Sequence, residues 1–206
     1  MANADFFTIF SLPRHLQVNL SALEKTFYAQ SRKLHPDRFA ARPPVEQEAA
    51  LAESSQLNDA YRTLKDPILR TQYLLSVEGV ELEEQSKTAT DAARATGVEK
   101  KQLIPPELLE EVFELNMQLM EMKAAKEFGD EADPDLRRDL EAAAKGFDAK
   151  MAETQAELEG LWTRWDAAVD AGDDAAKSAT KDALVTLLNK RSYLRNLVRD
   201  VTAALE

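Results

Sequence analysis

Apolar residues recur along the chain at intervals of three, four and seven, the spacing of one helix face, and few windows alternate as a strand would. Phe6, Phe7, Ile9, Phe10 and Leu12 predict a short first helix, stopped by Pro13. Leu20, Leu23, Phe27 and Leu34 predict a second. It opens at Ser21-Ala-Leu-Glu24, a capping box, and ends at His35, because Pro36 disfavours helical geometry in the residue before it. A loop from Pro36 to about Pro44 leads into a third helix over Glu46 to Leu64, with Ala50, Leu57, Ala60, Tyr61 and Leu64 inward. Asp66-Pro67 starts a short fourth helix carrying Ile68, Tyr73, Leu74 and Val77.

The pattern lapses over residues 79–104, which have little apolar periodicity and several Ser and Thr, and which predict a connection between domains. It resumes after Pro105-Pro106, where Leu108, Leu109, Val112, Phe113, Leu115, Leu119, Met120 and Met122 predict a helix ending near Gly129. Asp133-Pro134 starts a long helix with Leu136, Leu140, Phe147, Met151, Leu158, Leu161, Trp165 and Val169. Ala171-Gly-Asp-Asp174 breaks it, and a last helix holds Leu184, Leu187, Leu188, Leu194, Leu197, Val198, Val201 and Leu205. An antiparallel three-helix bundle over 105–206 buries these stripes economically. The expected fold class is all-α, with domains at 1–78 and 105–206.

Composition narrows the chemistry. Cysteine is absent, which excludes a disulfide framework, a thiolate nucleophile and any Cys-ligated metal site in this chain. No apolar stretch approaches the roughly 18 residues of a membrane span, and MANADFFTIF lacks a basic n-region and a long apolar h-region. The expected location is cytoplasmic. The net charge of −11 falls mainly on the second half, against nucleic acid as the principal partner. The first half is close to neutral, with its cations bunched.

That bunching leads to the most informative segment. Lys25, Arg32 and Lys33 form a basic helix face running into His35-Pro36-Asp37-Arg38-Phe39, and a second helix follows with Leu57-Asn58-Asp59-Ala60-Tyr61-Arg62-Thr63-Leu64 before Asp66-Pro67. Pro36 holds the loop in a fixed shape. His35 offers a hydrogen-bonding cation candidate, and Asp37 a carboxylate able to pair with a partner's arginine. The helix cations would steer an acidic partner surface, unless they are only a solvated face. Read by itself, the tripeptide could be a plain helix stop and turn. An acid–base pair is the enzymatic alternative, but residues i and i+2 across a proline do not converge on one substrate, and no nucleophile motif or phosphate loop accompanies them.

Taken together, the basic helix, the His-Pro-Asp loop and the N-x-A-Y-x-x-L signature resemble the J-domain. That resemblance implies docking on a DnaK-type chaperone through His35, Pro36, Asp37, Arg38, Lys25, Tyr28, Arg32 and Lys33, stimulating its ATPase, with no catalytic residue, cofactor or metal in this chain. Asp5-Phe6-Phe7-Thr8-Ile9-Phe10-Ser11-Leu12-Pro13, His-Pro-Asp-Arg-Phe and the run from Asp66 to Leu75 are similar to the HscB family of iron–sulfur cluster co-chaperones. Leu108 to Asn116 resembles that family's helix for binding an IscU-like cluster scaffold. The resemblance implies scaffold contacts at Leu109, Phe113, Glu114, Glu121 and Tyr193, and delivery of the scaffold to a DnaK/HscA-type chaperone. We expect Leu109, Phe113 and Tyr193 to share an exposed apolar patch with the two glutamates at its rim. Glu110 and Met117 depart from the family pattern, and the stretch from about Glu127 to Phe147 is longer than the family's. A J-protein serving another client is the alternative.

Overall fold

The computed structural model describes residues 5–80, 105–128 and 133–206. These form an all-α protein of seven α-helices: α1 (Phe6–Ile9), α2 (Leu20–Lys33), α3 (Pro44–Lys65), α4 (Pro67–Val77), α5 (Leu109–Phe128), α6 (Pro134–Ala171) and α7 (Asp174–Leu205). Short 3-10 turns lie at Pro36–Arg38 and Pro106–Leu108.

The sequence's punctuation explains most of the helix ends. The Asp66 side chain accepts from the backbone N–H groups of Ile68 and Leu69 (2.8 Å each), and Pro67 supplies the first helical residue of α4. Gly79, at φ 80, closes that helix in the left-handed conformation. Gly172, at φ 64, does the same for α6, while the Asp173 carboxylate accepts from Ala176 N–H and opens α7. One expected cap is corrected. The cap of α2 is Asn19, whose side-chain oxygen accepts from Ala22 N–H (3.0 Å), so the helix starts a residue before Ser21. Asparagine is as good a cap as serine, and the apolar Leu20 fits the first helical position. Helix α3 also begins earlier than expected, on Pro44.

Packing divides the chain into two compact units, Met1–Glu81 with Leu161–Asp182, and Leu82–Gly160 with Ala183–Glu206. This differs from the division expected from sequence, because the end of α6 and the start of α7 pack with the first unit. Most of the expected 79–104 connection lies outside the described residues, as do residues 129–132 of the long stretch before Phe147.

In the first unit, α2 and α3 pair and α1 and α4 close against α3, burying Phe7, Phe10, Leu16, Leu23, Leu57, Leu64, Leu74 and Leu75. The α6–α7 tip adds Leu161, Trp162, Trp165 and Ala168. It grips the loop before α2 residue by residue. Trp165 Nε1 donates to the Arg14 carbonyl (2.9 Å), and His15 Nε2 stands 3.0 Å from Asp170 Oδ1. The Asp166 carboxylate accepts from the N–H groups of Leu16 (2.6 Å) and Gln17 (2.9 Å), and Gln17 Nε2 donates to Thr163 (2.9 Å). Arg70, buried on α4, completes the grip by donating to the carbonyls of Leu16 (2.9 Å) and Leu64. Burial pushes the Asp166 carboxyl up, opposed by the N–H groups of Leu16 and Gln17, and the Arg70 guanidinium down, opposed by the charges of Asp166 and Asp66. Neither Arg70 nor Asp166 was foreseen as structural, since charged residues read as surface by default.

The second unit buries Leu108, Val112, Leu115 and Met122 of α5 against Leu136, Leu140 and Phe147 of α6 and Tyr193, Leu194, Leu197 and Val201 of α7. Glu107 with Lys190 (3.4 Å) and Glu111 with Lys150 (3.1 Å) fasten the entry of α5 to the other two helices.

Candidate functional sites: a His-Pro-Asp turn and an exposed helix face

Helix α2 delivers the first site. Lys25, Tyr28 and Arg32 lie three and four residues apart, hence on one face, with Lys33 beside them, and all four are exposed. Arg32 Nε donates to the Tyr28 carbonyl (3.2 Å), which keeps that guanidinium along its own helix. Behind this face, Phe27 stacks on Tyr61 of α3 (centroids 4.1 Å apart), so the α2–α3 pair is held rigid below its charged surface.

The helix ends at Leu34, and His35 caps the turn that follows. His35 Nδ1 accepts from Asp37 N–H (3.3 Å) and stands 3.4 Å from Asp37 Oδ2. A neutral ring accepts at Nδ1, whereas a protonated ring donates there to the carboxylate, so either state holds His35 over the turn. Arg38 N–H and Phe39 N–H donate to the His35 and Pro36 carbonyls (2.9 Å each), and Gln47 of α3 ties the loop down through the Arg42 carbonyl (2.8 Å). His35, Pro36, Asp37 and Arg38 are all exposed on this braced turn. Beside it opens an apolar hollow of about 320 Å³, lined by Leu34, Pro36, Phe39, Ala50 and Leu51 among others. The sequence reading missed it, because the register between the loop and the start of α3 makes it. The exposed turn thus sets two polar groups beside the cationic face of α2; among the described residues no group of three or more His, Asp or Glu is placed to hold a metal ion.

The second site is on α5, and here one expectation is corrected. Leu109 (53 % exposed) and Phe113 (69 %) face outward, with Glu114 and Glu121 exposed beside them. Tyr193 does not join them. It is 9 % exposed and packs in the bundle core, with burial pushing its phenol up. Its neighbours Ser192 and Leu194 are buried too, because this part of α7 sits against α5 and α6. Met117 (57 %) and Met120 (70 %) are on the face instead. Residues 109, 113, 117 and 120 stand at i, i+4, i+8 and i+11, a strip of about 16 Å along the helix. Glu110, Glu114 and Glu121 follow one edge of it. The signal was in the spacing: a helix apolar over so wide an arc has more surface than one core can cover.

No family model matches the chain. It is similar to the co-chaperone protein HscB homolog of Bordetella petrii, with 42% identity over 93 residues, 45% of this chain and 55% of that relative. The match thus spans about half the length of the curated relative. Among solved structures it is similar to the chaperone HscB from Vibrio cholerae, with a TM-score of 0.58 and 25% identity, covering 97% of this chain and 96% of that one. The human co-chaperone protein HscB shares the fold at a TM-score of 0.57 and 20% identity, covering 98% and 83%.

Proposed function

We propose that the chain is an HscB-type co-chaperone, an adaptor without an active site of its own, which docks on a DnaK/HscA-type chaperone, stimulates its ATPase and delivers an IscU-like cluster scaffold to it. The observation that carries the reading is the braced, exposed His35-Pro36-Asp37 turn at the end of the cationic α2 face. A partner carboxylate or arginine can reach both side chains without any rearrangement of the loop, so little ordering cost attends docking. Lys25, Arg32, Lys33 and Arg38 supply the field that orients an acidic chaperone surface, and Tyr28 adds an aromatic anchor within it. The hollow beside Pro36 accepts an apolar side chain of the same partner. The scaffold docks on the α5 strip, with Leu109 and Phe113 as apolar anchors and Glu114 and Glu121 guiding a basic rim. Tyr193 supports the strip from beneath, through the packing of α7 on α5. No helix of the described residues is long and apolar enough to cross a membrane.

The test is His35→Gln in the full chain. Stimulation of the chaperone's ATPase should fall to the basal rate while helicity and thermal midpoint stay as they are, since an exposed turn residue contributes little to the core. Full stimulation by a folded His35→Gln protein would sink the reading.

A further inference from the structure

Of the five methionines in the chain, Met117 and Met120 stand out on the α5 strip, whereas Met122, on the opposite face of the same helix, is 2 % exposed in the core and Met151 is half-buried against it. We infer that Met117 and Met120 make client docking sensitive to peroxide: oxidation of their thioethers switches the strip from apolar to polar and releases the client. The inference rests on the reading of this strip as the scaffold's docking face. A thioether is soft, flexible and apolar, and suits a face that must mould itself to a partner. Its sulfur lone pair also attacks the O–O bond of hydrogen peroxide. One oxygen is transferred to sulfur, the O–O bond breaks and water leaves, so that sulfur is oxidised by two electrons and peroxide reduced by two. The product is a dipolar, chiral sulfoxide. Buried against a partner without a donor to meet it, such a group weakens binding by about tenfold or more.

Position makes the two sulfurs effective. Met117 lies one helical turn from Phe113 on one side and from Glu121 on the other, and Met120 lies one turn beyond Asn116. Together they form the C-terminal half of the strip, so their conversion leaves Leu109 and Phe113 as an isolated apolar pair. The core is spared, because Met122 is shielded from solvent peroxide by Leu115, Leu119 and the facing helices. The switch therefore acts on docking without unfolding the bundle, and enzymatic reduction of the sulfoxides reverses it.

The experiment uses the full chain, hydrogen peroxide and the purified IscU-type scaffold from the same source, with peptide mass mapping and a calorimetric titration. We expect Met117 and Met120 to gain oxygen before Met122, helicity to persist, and scaffold affinity to fall about tenfold or more. Methionine sulfoxide reductase should restore it. Met117→Leu with Met120→Leu, compared with itself before and after peroxide, should show no loss of affinity, since leucine carries no sulfur to oxidise. Unchanged affinity after both sulfurs are oxidised overturns the inference alone, as does equal peroxide sensitivity in the double-leucine protein. Failure of the untreated protein to bind the scaffold overturns the docking reading and the inference with it.

Discussion

The His-Pro-Asp turn and the α5 strip are opposite solutions to presenting a surface. The turn is polar and held by short-range bonds among residues 34–47, so its shape is set by local chain geometry. The strip is apolar, and what makes it a surface is which side of α5 the other two helices of its bundle cover. A local device survives changes elsewhere that leave its own bonds intact. A surface defined by subtraction depends on the packing beneath it. The first should fail by losing single polar groups, and the second by losing either its anchors or its foundation.

The sharpest division lies between anchor and foundation. Tyr193→Ala should lower stability by about 3 kcal/mol, because it empties a buried aromatic site. Leu109→Ala with Phe113→Ala should change stability by no more than about 0.5 kcal/mol, yet abolish measurable scaffold binding. Thermal unfolding beside a binding titration separates the two; a double mutant that unfolds like Tyr193→Ala would make the strip part of the core.

On the other surface the expected effects are kinetic and smaller. Arg32→Ala with Lys33→Ala should slow association with the chaperone several-fold at low ionic strength and flatten its salt dependence, because long-range steering is screened within about 10 Å at 0.1 M salt. Stopped-flow association at two salt concentrations checks it, and an unchanged low-salt rate would reduce these cations to a solvated face.

The smallest effect sharpens the placement of Tyr193. Burial, with Asp200 nearby, raises its phenol above the ordinary 10.0. Between 10.0 and the raised value the folded chain keeps a proton that the unfolded chain has lost, so this group's share of stability is complete below pH 10.0 and drains away as pH rises through that window. Tyr193→Phe should remove that part of the alkaline slope in denaturation midpoints measured across the window. A slope identical in the mutant would mean the phenol is in water.

The two surfaces also differ in how far they could be read from residues alone. The turn was legible because its parts are contiguous: a proline, its neighbours and helices marked by Asp66-Pro67 and apolar spacing. The strip was half legible. Periodicity gave the helix and a wide apolar arc, but assigning each apolar residue to core or solvent needs the angle at which α6 and α7 cross it, and no residue of α5 encodes that. Tyr193 was therefore placed outside when it lies inside, and Met117, a departure from the family pattern, proved to extend the strip. Arg70 and Asp166 were missed for a related reason. Each is charged and unremarkable in sequence, and only the approach of the α6–α7 tip turns them into structure. Asn19 was missed because two good caps, Asn19 and Ser21, stand two residues apart, and the backbone takes the earlier.

The grip of the α6–α7 tip on Leu16 has a consequence for synthesis. At about 5–20 residues per second, the hundred residues separating the end of α4 from Asp182 take roughly 5–20 s to emerge from a ribosome. For most of that interval the nascent first unit lacks Trp162 and Trp165, and Arg70 lacks the carboxylate of Asp166. Until then the loop before α2 lacks the side chains that hold Arg14, Leu16 and Gln17 in the finished fold. A chain arrested after Glu81 should therefore be cut readily by protease in the loop before α2, and one arrested far enough past Asp182 for the tip to clear the tunnel should resist. The last-built part of the fold is thus a timer on the first.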